Sequence, residues 1–153
     1  VEPTASYWDC AEYISTSAKL QIGHPPGAPL FQMLGAFFSS FASEPEKIAL
    51  MVNMMSVFAS AFTILFLFLT TSIIGKKIIL KSNTLSKFNA ITIIGSSFVG
   101  SLCFTFSDSF WFNAVEAEVY AMATMIMSLL FWLGFKWEEH MDSKGGDRWL
   151  ILI

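Results

Sequence analysis

Residues 48–75 read IALMVNMMSVFASAFTILFLFLTTSIIG and contain no charged side chain in 28 positions. A helix of that length, at about 1.5 Å per residue, is longer than the roughly 30 Å hydrocarbon core of a bilayer. Residues 88–107 form a second uncharged stretch, of 20 positions. Since 54% of the residues are hydrophobic and only 14% are charged, these stretches predict an all-α integral membrane protein.

Charge distribution outside these stretches predicts the topology. The segment between the two spans carries four lysines and no acid: Lys76, Lys77, Lys81 and Lys87. The positive-inside rule places this segment in the cytoplasm, so residues 1–47 and 108–112 are predicted on the opposite side. Residues 113–135 are expected to form a third span, followed by a solvated cytoplasmic loop at 136–148 and the start of another span at 148–153.

Residues 28–42 form a shorter apolar segment, in which Pro29 suits the first turn of a helix. Its length of 15 residues is short for a membrane crossing, so we expect an interfacial or partly buried helix. The chain begins without methionine and stops inside an apolar segment. We therefore expect it to be a piece of a longer protein, with a span before Val1 and more after Ile153.

Several functional classes find no support in the sequence. The net charge is −3, and no basic patch is dense enough to indicate nucleic-acid binding. The two cysteines, Cys10 and Cys103, are too few for a disulfide framework and are expected to be apolar filler. The chain also lacks a CxxC motif, an HExxH motif and a glycine-rich phosphate loop.

The polar segment 1–27 holds most of the residues suited to chemistry. A helical turn would put the carboxylates of Asp9 and Glu12 on one face, where a low-dielectric wall can raise the pKa of a general base. The pattern alone favours another interpretation, a capping box with Asp9 as the N-cap. His24 stands before two prolines. An imidazole held there could bind a phosphate or a sugar hydroxyl, although a lone histidine is more often structural.

Glu116 and Glu118 are expected in the first turn of the third span. Positions two apart on a helix point to nearly opposite sides, so only one of the two should face the cavity that holds the first loop. Tyr120 would share a face with Glu116. The alternative places both acids at the water interface, where they favour the helix dipole, with Asn113 as the cap. The topology gathers these groups on one side of the membrane: Asp9, Glu12, His24, Asp108, Glu116 and Glu118.

Three strings carry a family resemblance: PTASYWDCAEY at 3–13, KLQIGHPPGAPLF at 19–31 and FWFNAVEAEVY at 110–120. They resemble a multi-spanning family of bacterial, notably Bacteroidota, proteins whose animal relatives are endoplasmic-reticulum protein O-mannosyltransferases of plexin-type ectodomains. More distantly, an acid pair in the first external loop followed by His-Pro-Pro resembles the main protein O-mannosyltransferases. The resemblance implies a fragment of a polytopic helical bundle with a glycosyltransferase C-like fold, about three full spans plus an external loop with an interfacial helix.

The resemblance also implies an activity. A sugar, mannose by analogy, would pass from a polyprenyl-phosphate donor to serine or threonine hydroxyls of secreted or membrane proteins. Asp9 is the best match to the family's proposed base and Glu12 the second, because the acids here are separated as Asp-x-x-Glu instead of adjacent. His24 and Lys19 would bind the donor phosphate. The site would face the periplasm of a bacterial inner membrane or the lumen of the endoplasmic reticulum, with the remaining substrate-binding residues Glu116, Glu118 and Tyr120.

No resident cofactor is expected, because the lipid-linked sugar is a substrate. The number of acids near the site is compatible with a divalent metal, but the spacing of possible ligands along the sequence does not require one. The expected partners are the polyprenyl-phosphate sugar, an acceptor protein and the lipid bilayer, without nucleic acid. A transporter or channel subunit is the competing function. Transport predicts acids at mid-membrane, whereas transfer predicts them together at one face.

Overall fold

The computed structural model describes residues 1–6, 9–80 and 86–153, and every regular element in these ranges is helical. The all-α prediction is therefore confirmed. In chain order the elements are α1 (Cys10–Ala18), α2 (Pro29–Ser39), a 3-10 helix (Pro45–Lys47), α3 (Ile48–Leu80), α4 (Lys87–Thr105), α5 (Asp108–Val115), α6 (Val119–His140) and α7 (Arg148–Ile151).

Three helical segments are long and apolar enough to cross a membrane: Pro45–Ile79, Lys87–Thr105 and Val119–His140. This agrees with the predicted number of spans. The third differs in extent, because it begins at Val119 instead of residue 113 and continues to His140. The first helix likewise runs past Gly75 to Leu80, so Lys76 and Lys77, expected in the loop between the first two spans, are helical. Lys81, the lysine predicted in that loop, lies outside the described residues.

Helix α2 has 11 residues, which gives a length of about 16 Å. That is far less than the thickness of a hydrocarbon core. One side of α2 is buried through Phe31, Gln32 and Gly35, whereas Met33 and Phe37 on the other side are exposed. The length agrees with the expectation that residues 28–42 do not cross the membrane.

Residues Val1–Ala61 and Asp108–Thr124 form one compact unit. Helices α1 and α2 pack against each other there. A Cβ atom added at Gly35 would lie only 2.5 Å from the Ser17 hydroxyl oxygen, so this close approach requires a glycine. The core of the unit is a single cluster of buried side chains: Cys10, Tyr13, Ile14, Phe31, Val52, Met55 and Ala117.

Residues Phe62–Ser107 and Met125–Ile153 form the second compact unit. Within it, the Lys77 ammonium lies 2.6 Å from the Glu138 carboxylate, and Lys76 lies 3.4 Å from Glu139. The expectation of a solvated loop from residue 136 onward was therefore wrong for its first part. Residues 136–140 continue α6, because their acids can pair with the lysines at the end of α3.

Candidate functional site

Helix α1 begins at Asp9, which occupies the N-cap position. The Asp9 carbonyl oxygen accepts a hydrogen bond of 2.9 Å from the Tyr13 N–H, as the first turn of a helix requires. The Asp9 carboxylate, however, makes no capping hydrogen bond. Its side chain is 55% exposed. Asp9 therefore occupies the N-cap position while its carboxylate makes no hydrogen bond to the helix.

The Glu12 carboxylate binds His24 instead of completing a capping box. Glu12 Oε1 accepts a 2.7 Å hydrogen bond from the His24 backbone N–H, and Oε2 lies 3.1 Å from His24 Nδ1. The predicted capping box was therefore wrong in its bonds, although it located the helix start. The backbone hydrogen bond from His24, followed by the imidazole contact, lowers the pKa of Glu12, because both stabilise the ionised carboxylate.

His24 joins the two acids. Its Nε2 lies 3.9 Å from Asp9 Oδ2, on the side of the ring opposite the Glu12 contact. The three residues each offer one possible ligand atom, and these atoms lie within 4.8 Å of one another. The sequence placed Asp9, Glu12 and His24 in one external loop, and the structure brings their side chains into a single cluster.

The loop that carries His24 is held by short-range contacts. The Gly27 N–H donates to the His24 carbonyl oxygen at 2.9 Å, so residues 24–27 form a tight turn. The Tyr13 ring packs against His24 and Phe31, with centroid distances of 6.1 and 5.2 Å. A Cβ atom added at Gly23 would come 3.2 Å from Glu12 Oε1, so a small residue before His24 lets the loop approach α1.

Glu116 and Glu118 lie in the non-helical break between α5 and α6. The expectation that both open a helix was wrong, so the argument from helical spacing does not apply to them. Only 5% of Glu116 and 7% of Glu118 is exposed, and Ala117 between them is fully buried in the core. Asn113 does not cap a helix here, because its side-chain amide donates to the Ser109 carbonyl oxygen within α5.

Glu118 is electrically linked to the Asp9 cluster. Burial, together with the negative charges of Asp9 and Glu116, raises the pKa of Glu118 to about 7, and His24 opposes the shift. Glu118 lies just before the span Val119–His140. Among the described residues its carboxylate has no hydrogen-bond partner. A buried carboxyl group with a pKa near neutrality can exchange a proton at working pH.

Two predicted site residues are exposed and are not among the three clustered side chains. Lys19 is exposed at the C-terminal end of α1, about 10 Å along the helix from Glu12, and it forms no ion pair within the described ranges. Tyr120 lies in the first turn of α6 and is 61% exposed. Because Glu116 is not helical, the expected shared face of Glu116 and Tyr120 does not exist.

Asn53 is a residue of this unit that sequence reasoning missed. It is fully buried in α3, where its side-chain amide donates to the carbonyl oxygens of Glu2 and Thr4 at 2.7 and 3.1 Å. The Cys10 thiol lies 3.8 Å from Asn53 Oδ1. Asn53 therefore anchors the segment leading to Asp9. The available signal was a lone amide among the apolar residues of 48–55.

Comparison with known proteins gives two matches. The family described as Protein O-mannosyl-transferase TMEM260 N-terminal domain matches residues 9–153. The protein named Protein O-mannosyl-transferase tmem260 from Dictyostelium discoideum is 26% identical over 133 residues. That alignment covers 86% of this chain and 14% of the relative.

No solved structure gives a significant match to the chain. The family match is nevertheless extensive, because it includes Asp9, Glu12, His24, Glu116 and Glu118 and all three helices long enough to span a membrane. The chain therefore belongs to the Protein O-mannosyl-transferase TMEM260 N-terminal domain family.

Proposed function

We propose that this chain forms part of the active site of a membrane glycosyltransferase. The enzyme moves a sugar from a polyprenyl-phosphate donor to the serine or threonine hydroxyl of an acceptor protein. The relative in Dictyostelium discoideum is named a protein O-mannosyl-transferase, which supports mannose as the sugar. The alignment covers 14% of the length of that relative, so the transfer activity of the whole relative is extended to this chain as part of the proposal.

The observation that carries the proposal is the free carboxylate of Asp9. It makes no capping hydrogen bond and lies 3.9 Å from His24, which is itself held by Glu12. A hydroxyl group is a poor nucleophile and needs a positioned base. Asp9 is suited to this role because its oxygens are accessible. Glu12 is less suited, because both of its carboxylate oxygens contact His24.

The proposed reaction is a single displacement at the anomeric carbon. The acceptor oxygen forms a bond to that carbon while its proton passes to the Asp9 carboxylate. The bond between the anomeric carbon and the phosphate oxygen breaks, and the lipid phosphate leaves with the electron pair. His24 lies beside Asp9 and can help to bind the leaving phosphate. The position of Lys19 at the far end of α1 makes it the weaker candidate for this role.

The acceptor and the cellular location are parts of the same proposal. The site would face the lumen of the endoplasmic reticulum or, in a bacterium, the periplasm. Secreted and membrane proteins, including plexin-type ectodomains for the animal relatives, are then the accessible acceptors. A lipid-linked donor gives a physical reason for embedding the enzyme in the bilayer, because the polyprenyl chain remains in the hydrocarbon region.

Transport has no comparable support in the described residues. The acids of the helices that could span a membrane lie in their first or last turns: Glu46, Glu138 and Glu139. Glu116 and Glu118 precede the third of these helices. Proton or ion relays use ionisable groups within the membrane interior, and this part of the chain offers none there.

The test is transfer by the full-length protein carrying Asp9→Asn. Asparagine keeps the size of the side chain and removes the proton acceptor, so transfer from labelled polyprenyl-phosphate mannose to an acceptor peptide should fall by about 10²–10⁴. The melting temperature should change little, because the Asp9 side chain is exposed and makes no capping bond.

Glu46→Gln is the matched control, since Glu46 is an exposed acid of the same segment and its loss should leave transfer unchanged. Near-normal transfer by Asp9→Asn would overturn the assignment of the base and move it to Glu12 or Glu118. Absence of transfer from any polyprenyl-phosphate sugar by the wild-type protein would overturn the proposed function.

A further inference from the structure

We propose that Asp9 and His24, with Glu12 orienting the imidazole, bind a divalent transition-metal cation, Mn²⁺ or Zn²⁺, and that this cation receives the phosphate of the lipid-linked donor. The first half of the proposal concerns binding and stands without any activity. The second half rests on the proposed function. The inference differs from the sequence-based expectation of no resident metal, which considered spacing along the chain and not the folded arrangement.

The three side chains bring carboxylate and imidazole groups into close proximity. One ligand atom from each residue lies within 4.8 Å of the other two. Metal–ligand bonds of about 2.0–2.2 Å bring two ligand atoms to within roughly 4 Å of each other, so a small adjustment of exposed side chains closes the site. The exposed Asp9 and His24 leave coordination positions open to a substrate.

His24 is oriented as a metal-binding histidine. Ligating histidines almost always donate the second ring N–H to a carboxylate or carbonyl oxygen, which fixes the tautomer. Here His24 Nδ1 lies 3.1 Å from Glu12 Oε2. Donation of that N–H leaves a lone pair on Nε2, which faces Asp9 Oδ2 across 3.9 Å. That distance is too long for a hydrogen bond and fits two ligands on either side of one cation.

Glu118 supplies the independent observation. It is only 7% exposed, its carboxylate has no hydrogen-bond partner in the described part of the chain, and its charge acts on both Asp9 and His24. Buried charges in proteins are normally paired or coordinate a metal. Glu118 is therefore a buried carboxylate beside the proposed site whose charge acts on Asp9 and His24.

The balance of charge points the same way. Eight acids belong to this unit of the fold, and four of them are the clustered Asp9 and Glu12 and the buried Glu116 and Glu118. Within the described ranges no lysine or arginine forms an ion pair with any of these four, and His24 is their one imidazole partner. A divalent cation would offset this excess of negative charge without requiring a change in the backbone.

The ligand types indicate the class of ion. Imidazole nitrogen suits zinc, copper, iron and nickel, and carboxylate oxygen suits manganese, magnesium and calcium. A carboxylate together with an imidazole favours Mn²⁺ or Zn²⁺ over an ion that prefers oxygen ligands alone. A cation bound there can accept the donor phosphate and stabilise the charge that develops as it leaves. A carboxylate has two oxygens, so Asp9 can hold the cation through Oδ2 and accept a hydroxyl proton through Oδ1.

Binding is tested first, with the metal alone. The full-length protein is stripped with a chelator, and Mn²⁺ binding is followed by electron paramagnetic resonance and Zn²⁺ binding by calorimetry. We expect a dissociation constant below about 1 mM, the weak end for extracellular cation sites of the calcium type. Asp9→Asn and His24→Gln should each weaken binding by more than the 10–100-fold typical for losing an outer partner of a ligand. Glu118→Gln should weaken it less.

Glu46→Gln again serves as the control, because it removes an exposed acid of the same segment and should leave the dissociation constant unchanged. Two ligand variants are used so that a folding defect in one of them does not decide the result. Melting temperatures identify which variants are folded. No Mn²⁺ or Zn²⁺ binding by the wild-type protein would overturn the proposal. Binding that survives in both folded ligand variants would overturn it too, because the ion would then lie elsewhere.

Transfer measured after chelation separates this inference from the proposed function. Loss of transfer in chelator, restored by Mn²⁺ or Zn²⁺, supports the role of the cation in donor binding. Full transfer in chelator that is abolished by Asp9→Asn would overturn that role and leave the glycosyltransferase intact. Absence of transfer under all conditions, with tight Mn²⁺ binding, would overturn the function and keep the metal site.

Discussion

At the scale of single residues, Glu118 has the least favourable environment among the described acids of the first unit. It is buried, it lacks a hydrogen-bond partner in the described ranges, and Asp9 and Glu116 add negative charge around it. Its pKa of about 7 means that folding favours the protonated form. The unfolded chain has a pKa of about 4.5 at this group, so folding takes up a proton between these two values.

The sign of the resulting pH dependence follows from linkage. A raised pKa in the folded state contributes stability below pH 4.5 that is lost as the pH rises to about 7. Glu118→Gln, which imitates the protonated acid, should remove this dependence. The variant should be more stable than the wild type at pH 8, by at most about 3 kcal/mol, and similar to it at pH 4.5. Melting temperatures of both full-length proteins in chelator, from pH 4.5 to 8, measure the difference.

Glu46→Gln should show the same pH profile as the wild type, because Glu46 is exposed. A constant difference between Glu118→Gln and the wild type across this range would contradict the buried, proton-binding state of Glu118. Asp9, Glu116 and His24 are the charged groups that act on it, so Asp9→Asn should lower the pKa of Glu118 and move the transition to lower pH.

At the scale of secondary-structure elements, the packing of α1 on α2 positions the site. Asp9 and Glu12 belong to the first turn of α1, and the loop that carries His24 connects α1 to α2. Gly35 permits the approach of the two helices, since an added Cβ would lie 2.5 Å from Ser17 Oγ and 2.8 Å from Ser17 Cβ. A change of side-chain volume there should alter the helix pair and, through it, the site.

Gly35→Ala should destabilise the full-length protein by about 1–3 kcal/mol, because the methyl group overpacks against a buried serine. The better helix propensity of alanine, worth about 1 kcal/mol at most, offsets part of this loss. Gly95→Ala in α4 is the matched control, since nothing lies within 4 Å of its added Cβ. Chemical denaturation in detergent compares the two variants, and an equal response would refute the proposed close packing.

The sequence predicted the helices from hydropathy and failed where local contacts decide the conformation. The uncharged stretch at 48–75 indicated α3, but its continuation to Leu80 depends on pairs such as Lys77–Glu138, which a pattern along one segment does not contain. The break at 116–118 has no glycine or proline to mark it. Burial of Ala117 in the core fixes that break, and tertiary packing of this kind overrides helix propensity.

The same limit applies to the candidate site. Spacing indicated that Asp9 and Glu12 start a helix, and this holds in the structure. It did not indicate that Glu12 would bind the backbone N–H of His24, twelve residues later, because a side-chain hydrogen bond across a loop depends on the folded path. The buried anchor Asn53 was missed for the same reason, since its partners are carbonyl oxygens of Glu2 and Thr4.

At the scale of the whole molecule, the distribution of lysines predicts how the chain is threaded through the membrane. Lys76, Lys77 and Lys87 flank the connection between the first two spans, and an excess of lysine marks cytoplasmic segments. Residues 1–47 should then lie on the opposite side. This arrangement gives the periplasm or the lumen access to Asp9 and His24, as the proposed transfer to secreted acceptors requires.

Cysteine labelling tests this topology in a full-length protein whose Cys10 and Cys103 are replaced by alanine. A membrane-impermeant maleimide applied from the periplasmic or lumenal side should label Ile22→Cys and Ser43→Cys. It should label Ser86→Cys and Ser143→Cys only after the membrane is permeabilised. All four positions are exposed, so a missing signal reflects the membrane barrier and not burial within the described fold.

Each pair of positions decides one step of the topology. Labelling of Ser43→Cys and Ser86→Cys from the same side would show that the lysine-rich connection does not lie opposite residues 1–47. Labelling of Ile22→Cys and Ser43→Cys from different sides would show that the segment containing α2 crosses the membrane, against its length of about 16 Å. We expect neither result, because an 11-residue helix leaves roughly half of a 30 Å hydrocarbon core to be crossed by unpaired backbone, which lipid does not tolerate.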